Sequence, residues 1–165
     1  MSNNERAKVI QRTAVRGVVL TPERRVLLMQ LREPVSGFEI WQTPGGGLDA
    51  GEDAVAGLER ELLEETGLSG VEIGSLMWTR DHAFEWNGRR VFQQEMYYLV
   101  ETERFEPNGD SNPDAGEQAW FLGFGWWQAE EILTSDQTFS PRQLGHYLAQ
   151  VIRHGPPATP VEIGI

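Results

Sequence analysis

Residues 45–68 read Gly-Gly-Gly-Leu-Asp-Ala-Gly-Glu-Asp-Ala-Val-Ala-Gly-Leu-Glu-Arg-Glu-Leu-Leu-Glu-Glu-Thr-Gly-Leu. A glycine-rich entry runs into the best helix pattern of the chain, expected over Asp53–Thr66. Val55, Leu58 and Leu62 recur at helical spacing and Gly67 supplies the stop. At about 100° per residue, Glu64 lies about −60° and Glu65 about +40° from Glu61, so three carboxylates share an arc of roughly 100°. Like charges so placed repel by a few tenths of a kcal/mol per pair. A hard divalent cation offsets that repulsion, and Mg²⁺ and Mn²⁺ favour oxygen ligands that they share with substrate phosphates. Arg60, four residues before Glu64 and eight after Glu52, can brace these acids as an ion pair. The glycines upstream let the backbone approach closely, and a carbonyl there can add a ligand. By itself an acidic helix face is usually solvated and a glycine-rich loop is usually a turn; only their joint spacing argues for a site.

Working outward, Thr13–Leu20 and Val26–Leu31 read as the two strands of a hairpin around Thr21-Pro22. Glu33 to Gly51 reads as loop throughout, with Pro34, Gly37 and Pro44, and a loop that long is usually functional. Downstream, Val71–Thr79 and Val91–Val100 read as strands, Glu103–Glu117 as a polar loop, Trp120–Phe121 as a short strand and Gln128–Leu133 as a short helix. A last helix is expected from Ser140-Pro141 to about Arg153, followed by an extended Pro-rich tail over 155–165. Strands and helices interleave, which predicts an α/β layer fold in a single domain over residues 1–165.

Composition sets the limits on function. The 165 residues carry 25 acids against 14 bases, a net charge of -11. That disfavours a surface built to hold a nucleic-acid polymer, which needs clustered Lys and Arg. Cysteine is absent, which removes disulfide scaffolds, thiolate metal sites and thiol nucleophiles together. No apolar run reaches the length of a membrane span, and residues 1–12 lack the apolar core of a secretory signal, so a cytoplasmic address is expected. His82, His146 and His154 show no metal-ligand spacing.

Gly46, five residues, Glu52, seven residues, Arg60-Glu61-Leu62, one residue, Glu64-Glu65, one residue, Gly67-Leu68 satisfies every position of the Nudix box, residues 46–68. The chain therefore resembles a Nudix hydrolase, and Trp41-Gln42-Thr43-Pro44 looks like that family's approach to the box. The resemblance implies an α/β/α sandwich with a mixed β-sheet and the box as loop–helix–loop. It implies hydrolysis of a phosphoanhydride in a nucleoside diphosphate linked to another group, with Mg²⁺ or Mn²⁺. By position it makes Glu61, Glu64 and Glu65 metal ligands, joined by the carbonyl of Gly45 or Gly46, while Glu52 and Arg60 organise the catalytic site. The general base is either Glu61 or an acid from a later segment, for which Glu95 and Glu117 rank equally and Asp114 behind them.

Arg32 is the phosphate candidate outside the box, since Arg suits bidentate phosphate contacts. Phe84 and Trp86 are candidates to stack on a base at the pocket mouth. The leading substrate is a nucleoside or deoxynucleoside triphosphate; the alternatives are ADP-ribose, a nucleotide sugar, or a catalytically silent nucleotide-binding module. The isopentenyl diphosphate isomerase branch of this fold uses a catalytic cysteine and is rejected. Family members are often dimers, and the tail Pro156–Ile165 could pack on a partner.

Overall fold

The computed structural model describes residues 8–164, apart from the side chains of Ala115 and Glu117. Its elements are β1 (Ile10–Leu20), β2 (Arg25–Arg32), β3 (Glu39–Gln42), β4 (Gly45–Gly47), α1 (Ala54–Thr66), β5 (Leu76–Trp86) and β6 (Arg89–Glu101). There follow α2 (Ala115–Trp120), β7 (Phe121–Gln128), α3 (Ala129–Thr134), β8 (Phe139–Ser140), α4 (Leu144–His154) and β9 (Val161–Glu162).

The strands form one mixed sheet in the order β8-β3-β2-β1-β6-β5-β9, with β4 also on β1 and β7 also on β2. β1 lies at its centre, parallel to β6 from Ile10↔Val91 to Leu20↔Glu101 and antiparallel to β2 and β4. Both faces of β1 are covered, so residues 14–20 are all buried, as a central strand between two helix layers requires. Val15 and Val19 point to the layer holding Leu58 and Leu62 of α1. Val18 and Leu20 point to the other layer, where Ile132 of α3 and Leu144, Leu148 and Val151 of α4 pack. The result is an α/β/α sandwich.

Several expected boundaries move. The expected loop 33–51 contains β3 and β4. The strand expected over 71–79 instead begins at Leu76 and runs to Trp86, closing on β6 through Asn87 (φ 52) and Gly88 (φ 73), the two-residue turn that matches strand twist. The expected strand Trp120–Phe121 is divided, since Trp120 ends α2 and Phe121 opens the eight-residue β7. Ser140 belongs to β8, so the last helix starts at Leu144, where its amide bonds the Pro141 carbonyl at 3.0 Å. The tail packs on its own sheet. Val161 pairs with Trp78, Ile163 donates its amide to the Thr79 carbonyl, and the Ile163 side chain joins the core. Among the described residues no helix is long and apolar enough to cross a membrane.

Candidate active site

The box helix α1 is fixed at both ends. Asp53 caps it, its carboxylate accepting from the Ala56 amide at 3.1 Å, and Gly67 at φ 77 closes it with its amide on the Leu63 carbonyl. Leu58 and Leu62 press on β1 at Gly17, where an added Cβ would stand 3.2 Å from a Leu62 methyl. This docking turns Glu61 and Glu65 inward, and both are buried despite their charge.

Their counterpart is β4. Glu65 accepts the Gly45 amide at 2.9 Å. A Cβ at Gly46 would lie 2.6 Å from a Glu61 oxygen, so glycine there is what lets the carboxylate sit against the backbone. The Gly45 carbonyl accepts from Arg16 at 3.2 Å. Arg60 binds Glu52 with two parallel hydrogen bonds, Nε to Oε2 at 2.8 Å and Nη2 to Oε1 at 2.9 Å. Its remaining Nη1 donates to both Glu61 and Glu64 at 3.2 Å. Hydrogen bonding from Arg60 carries the Glu52 carboxyl down to about 2, and the same pairing with Glu52 pushes Arg60 up.

The donor set suits a hard divalent cation in kind: all oxygen, on one helix face, against a backbone with no side chain in the way. Among the described residues, however, no three acidic or histidine groups already stand together as a metal cluster. Arg60 occupies the ground between Glu61 and Glu64, and a cation held there must displace its Nη1.

Two cavities open beside this centre. The first, about 380 Å³, is lined by Glu65 of the box, by Gly45 just before it and by Phe84, Trp86, Trp120 and Phe121, with Arg12, Arg16 and Arg89 among the polar groups. Trp86 and Trp120 meet edge to face, 5.6 Å between centroids. The second, about 310 Å³, shares Arg16, Gln42, Phe84, Trp86 and Gln93 with the first and extends to Arg80, His82, Glu95, Ser140 and Arg142. Phe84 and Trp86, the stacking candidates, line both cavities.

Other candidates fall elsewhere. Arg32 lines neither cavity and pairs on the exposed face with Glu39 at 2.7 Å, so it is not gathered with the box. Glu95 is 2% exposed with both oxygens engaged. Arg80 Nη2 reaches both at 3.0 Å, Gln93 donates to Oε1 at 2.9 Å and Tyr97 donates to Oε2. Burial alone would raise this carboxyl; Arg16 and Arg80 with these hydrogen bonds outweigh it and hold it low. Glu95 is a buried counter-ion rather than a poised base. Asp114 is exposed and accepts the Gly116 amide at 2.8 Å. Glu117 lies in α2, and its side chain is outside the described residues.

The sequence reading missed Arg16, Gln42 and Trp120. Arg16 carried the only usable signal, an Arg within a run of apolar strand residues. Such a charge is buried only with partners, here the Gly45 carbonyl and Glu95.

The NUDIX domain family matches residues 10–148. The RNA pyrophosphohydrolase of Bradyrhizobium diazoefficiens is 33% identical over 128 residues, covering 70% of this chain and 76% of that protein. The RNA pyrophosphohydrolase of Rhodopseudomonas palustris is 35% identical over 103 residues, covering 57% of this chain; the chain spans only 58% of that protein's length. A MutT NUDIX hydrolase from Burkholderia pseudomallei superposes with a TM-score of 0.61 at 26% identity, over 86% of this chain and 98% of that one. The family generally uses divalent metal ions. With its complete box folded as loop–helix–loop beneath a mixed sheet, the chain belongs to the Nudix hydrolase superfamily.

Proposed function

We propose that this protein is a divalent-metal-dependent pyrophosphohydrolase that cleaves a phosphoanhydride in a nucleoside or deoxynucleoside triphosphate. The observation that carries the reading is continuity: Glu65 of the box and Gly45 just before it line the same cavity as Phe84, Trp86, Trp120 and Phe121. A base stacked among these rings would bring its phosphates to the acidic helix face.

Glu61, Glu64 and Glu65, with a carbonyl of Gly45 or Gly46, would hold Mg²⁺ or Mn²⁺. When bound, the metal neutralises polyphosphate charge and makes a coordinated water more acidic. Arg60, anchored by its paired bonds to Glu52, holds Glu61 and Glu64 together through Nη1, the place a cation would take between them. Arg16, buried and fixed on the Gly45 carbonyl, supplies fixed positive charge between the two cavities. Because Glu95 is saturated, Glu61 is the better general base, taking the proton of the attacking water as the anhydride bond to phosphorus breaks.

A second reading has its own support. The curated relatives named above are RNA pyrophosphohydrolases, and Arg12 and Arg89 line the first cavity, where they could meet an RNA phosphate. In that case the substrate is the 5′-triphosphate end of an RNA.

The test is a panel of nucleoside and deoxynucleoside triphosphates, ADP-ribose, nucleotide sugars and 5′-triphosphorylated RNA, each with Mg²⁺ and Mn²⁺. Release of phosphate, pyrophosphate and monophosphate product is measured. Metal-dependent release from triphosphates supports the reading. Nucleotide binding with no turnover across the panel would mean a silent binding module.

A further inference from the structure

The hairpin that carries Phe84 and Trp86 reaches beyond the sheet that supports it. Among the described residues, β1 begins at Ile10, opposite Val91, and β9 pairs with β5 at Trp78 and Thr79. Residues 85–90 therefore run past both neighbours as a two-stranded ribbon closed by Asn87 and Gly88. Such a ribbon is marginally stable by itself. Phe84 and Trp86 line both cavities, and Asn87 and Arg89 line the first, so the pocket depends on where this tip sits.

Glu33 moors it. This residue follows β2, is 8% exposed and lines the second cavity. Its Oε1 accepts the Asn87 amide at 2.8 Å, across 54 positions of sequence. Its Oε2 accepts the Val35 amide at 3.0 Å and the Ser36 amide and hydroxyl. Its own amide donates to the Phe38 carbonyl at 2.7 Å, and its carbonyl accepts the Gly37 amide at 2.9 Å. One residue thus closes the loop 33–38 and clips the hairpin tip to it. The hydrogen bonds from Ser36 lead in holding this carboxyl below its ordinary range, so both oxygens stay acceptors. On the far side of the tip, Trp86 rests edge to face on Trp120.

We propose that Glu33 is a positioning residue: by gripping the Asn87 amide it holds the β5–β6 tip so that Trp86 meets the nucleobase at the pocket. Glu33 does not line the first cavity, so its effect on the base passes through Asn87 and Trp86. This deepens the hydrolase reading and rests on it for the identity of the ligand. The unequal load on the two oxygens makes the role separable from folding. In Glu33→Gln the one carbonyl oxygen goes to the side with three donors, and the new amide group meets the Asn87 N–H donor to donor. The loop stays closed and the tip is released. In Glu33→Asp, a side chain one methylene shorter keeps the turn bonds to the next residues and falls short of Asn87.

Hydrogen exchange at the Asn87 amide, followed by NMR on the full chain without ligand, reads the tie directly. It should quicken about tenfold or more in Glu33→Gln and Glu33→Asp. It should match wild type in Ser36→Ala, which loses a loop bond and spares the tie. Turnover of the best triphosphate from the panel should show KM raised about fivefold with kcat held, as for a binding-competent tip populated about a fifth of the time. If Glu33→Gln does not fold, Glu33→Asp carries both measurements. Wild-type KM in a variant whose Asn87 exchange has quickened overturns the positioning role, as does a loss of kcat shared with Ser36→Ala. Asn87 exchange unchanged in both Glu33 variants overturns it as well. Should no substrate in the panel turn over, the hydrolase reading fails, and the exchange measurement still decides whether Glu33 holds the tip.

Discussion

Gly45→Ala tests whether the box loop is a strand squeezed into place rather than a pliant turn. Gly45 sits at φ 143, a backbone conformation that strains a residue with a side chain. Its Cβ would stand 2.0 Å from the Val15 carbonyl oxygen and 2.9 Å from the Arg16 Cα, both backbone atoms that no rotamer change can move. The conformational strain alone is worth about 1–3 kcal/mol. Forcing β4 off β1 against packed neighbours adds about 1–3 kcal/mol more. A loss near the middle of the summed range, about 4 kcal/mol, lowers Tm by roughly 8–16 °C in a domain of this size. Gly51→Ala is the control: its φ of 73 is also unfavourable, yet nothing stands within 4 Å of its Cβ. It should lose only about 1 kcal/mol, roughly 2–4 °C. Turnover should fall further than stability in Gly45→Ala, because β4 presents the Gly45 amide to Glu65 and Gly46 to Glu61. Differential scanning calorimetry of both variants decides the matter. Equal shifts in the two would refute the squeezed-strand account.

Three further outcomes follow from the same geometry. Glu64→Gln and Glu65→Gln should each lower metal-dependent turnover by about a hundredfold or more while melting close to wild type; near-normal rates at saturating Mg²⁺ would remove them as ligands. Hydrogen bonding from Arg60 depresses the Glu52 carboxyl from 4.5 to about 2, so its contribution to stability is present above about pH 4.5 and fades as pH falls toward about 2. The stability gap between wild type and Glu52→Gln, measured by denaturant unfolding across that range, should therefore shrink on acidification; a gap independent of pH would contradict the assignment. Glu95→Ala strips a buried carboxylate from Arg16 and Arg80 and should cost about 3–5 kcal/mol, whereas Glu39→Ala breaks only the exposed pair with Arg32 and should cost about 1 kcal/mol or less. Comparable losses in the two would deny the buried pair its role.

The box helix was legible because its signals are local. Apolar spacing, a Gly stop and three acids on one face all lie between Val55 and Gly67, and each points to the same helix. The cavities were not, because they are assembled from β2, β3, β5, β6, α2 and β7, and a single sequence carries no register between distant strands. One available signal was passed over. Asn87-Gly88 is a strong hairpin turn sequence, and reading it would have carried β5 on to Trp86 and aimed Phe84 and Trp86 by period-two alternation. Arg80 and Glu95 face each other through that same hairpin, as a directly paired couple. Neither residue alone announces the ion pair.

The glycines of residues 45–47 show why a loop composition concealed a strand. Glycine weakens a strand that must pack side chains, but β4 has no room for any. A Cβ would strike the Val15 carbonyl at Gly45, the Glu61 carboxylate at Gly46 and the Arg12 guanidinium, 2.6 Å away, at Gly47. Each of the three therefore admits a different neighbour: the central strand, the acidic helix and an arginine of the first cavity. The run that reads as flexibility is a close-contact junction, and it is where the sheet, the box helix and the pocket meet. Substituting any one of these positions should thus disturb a different partner, with Gly45 governing the β1 ladder and Gly46 governing where the Glu61 carboxylate can sit.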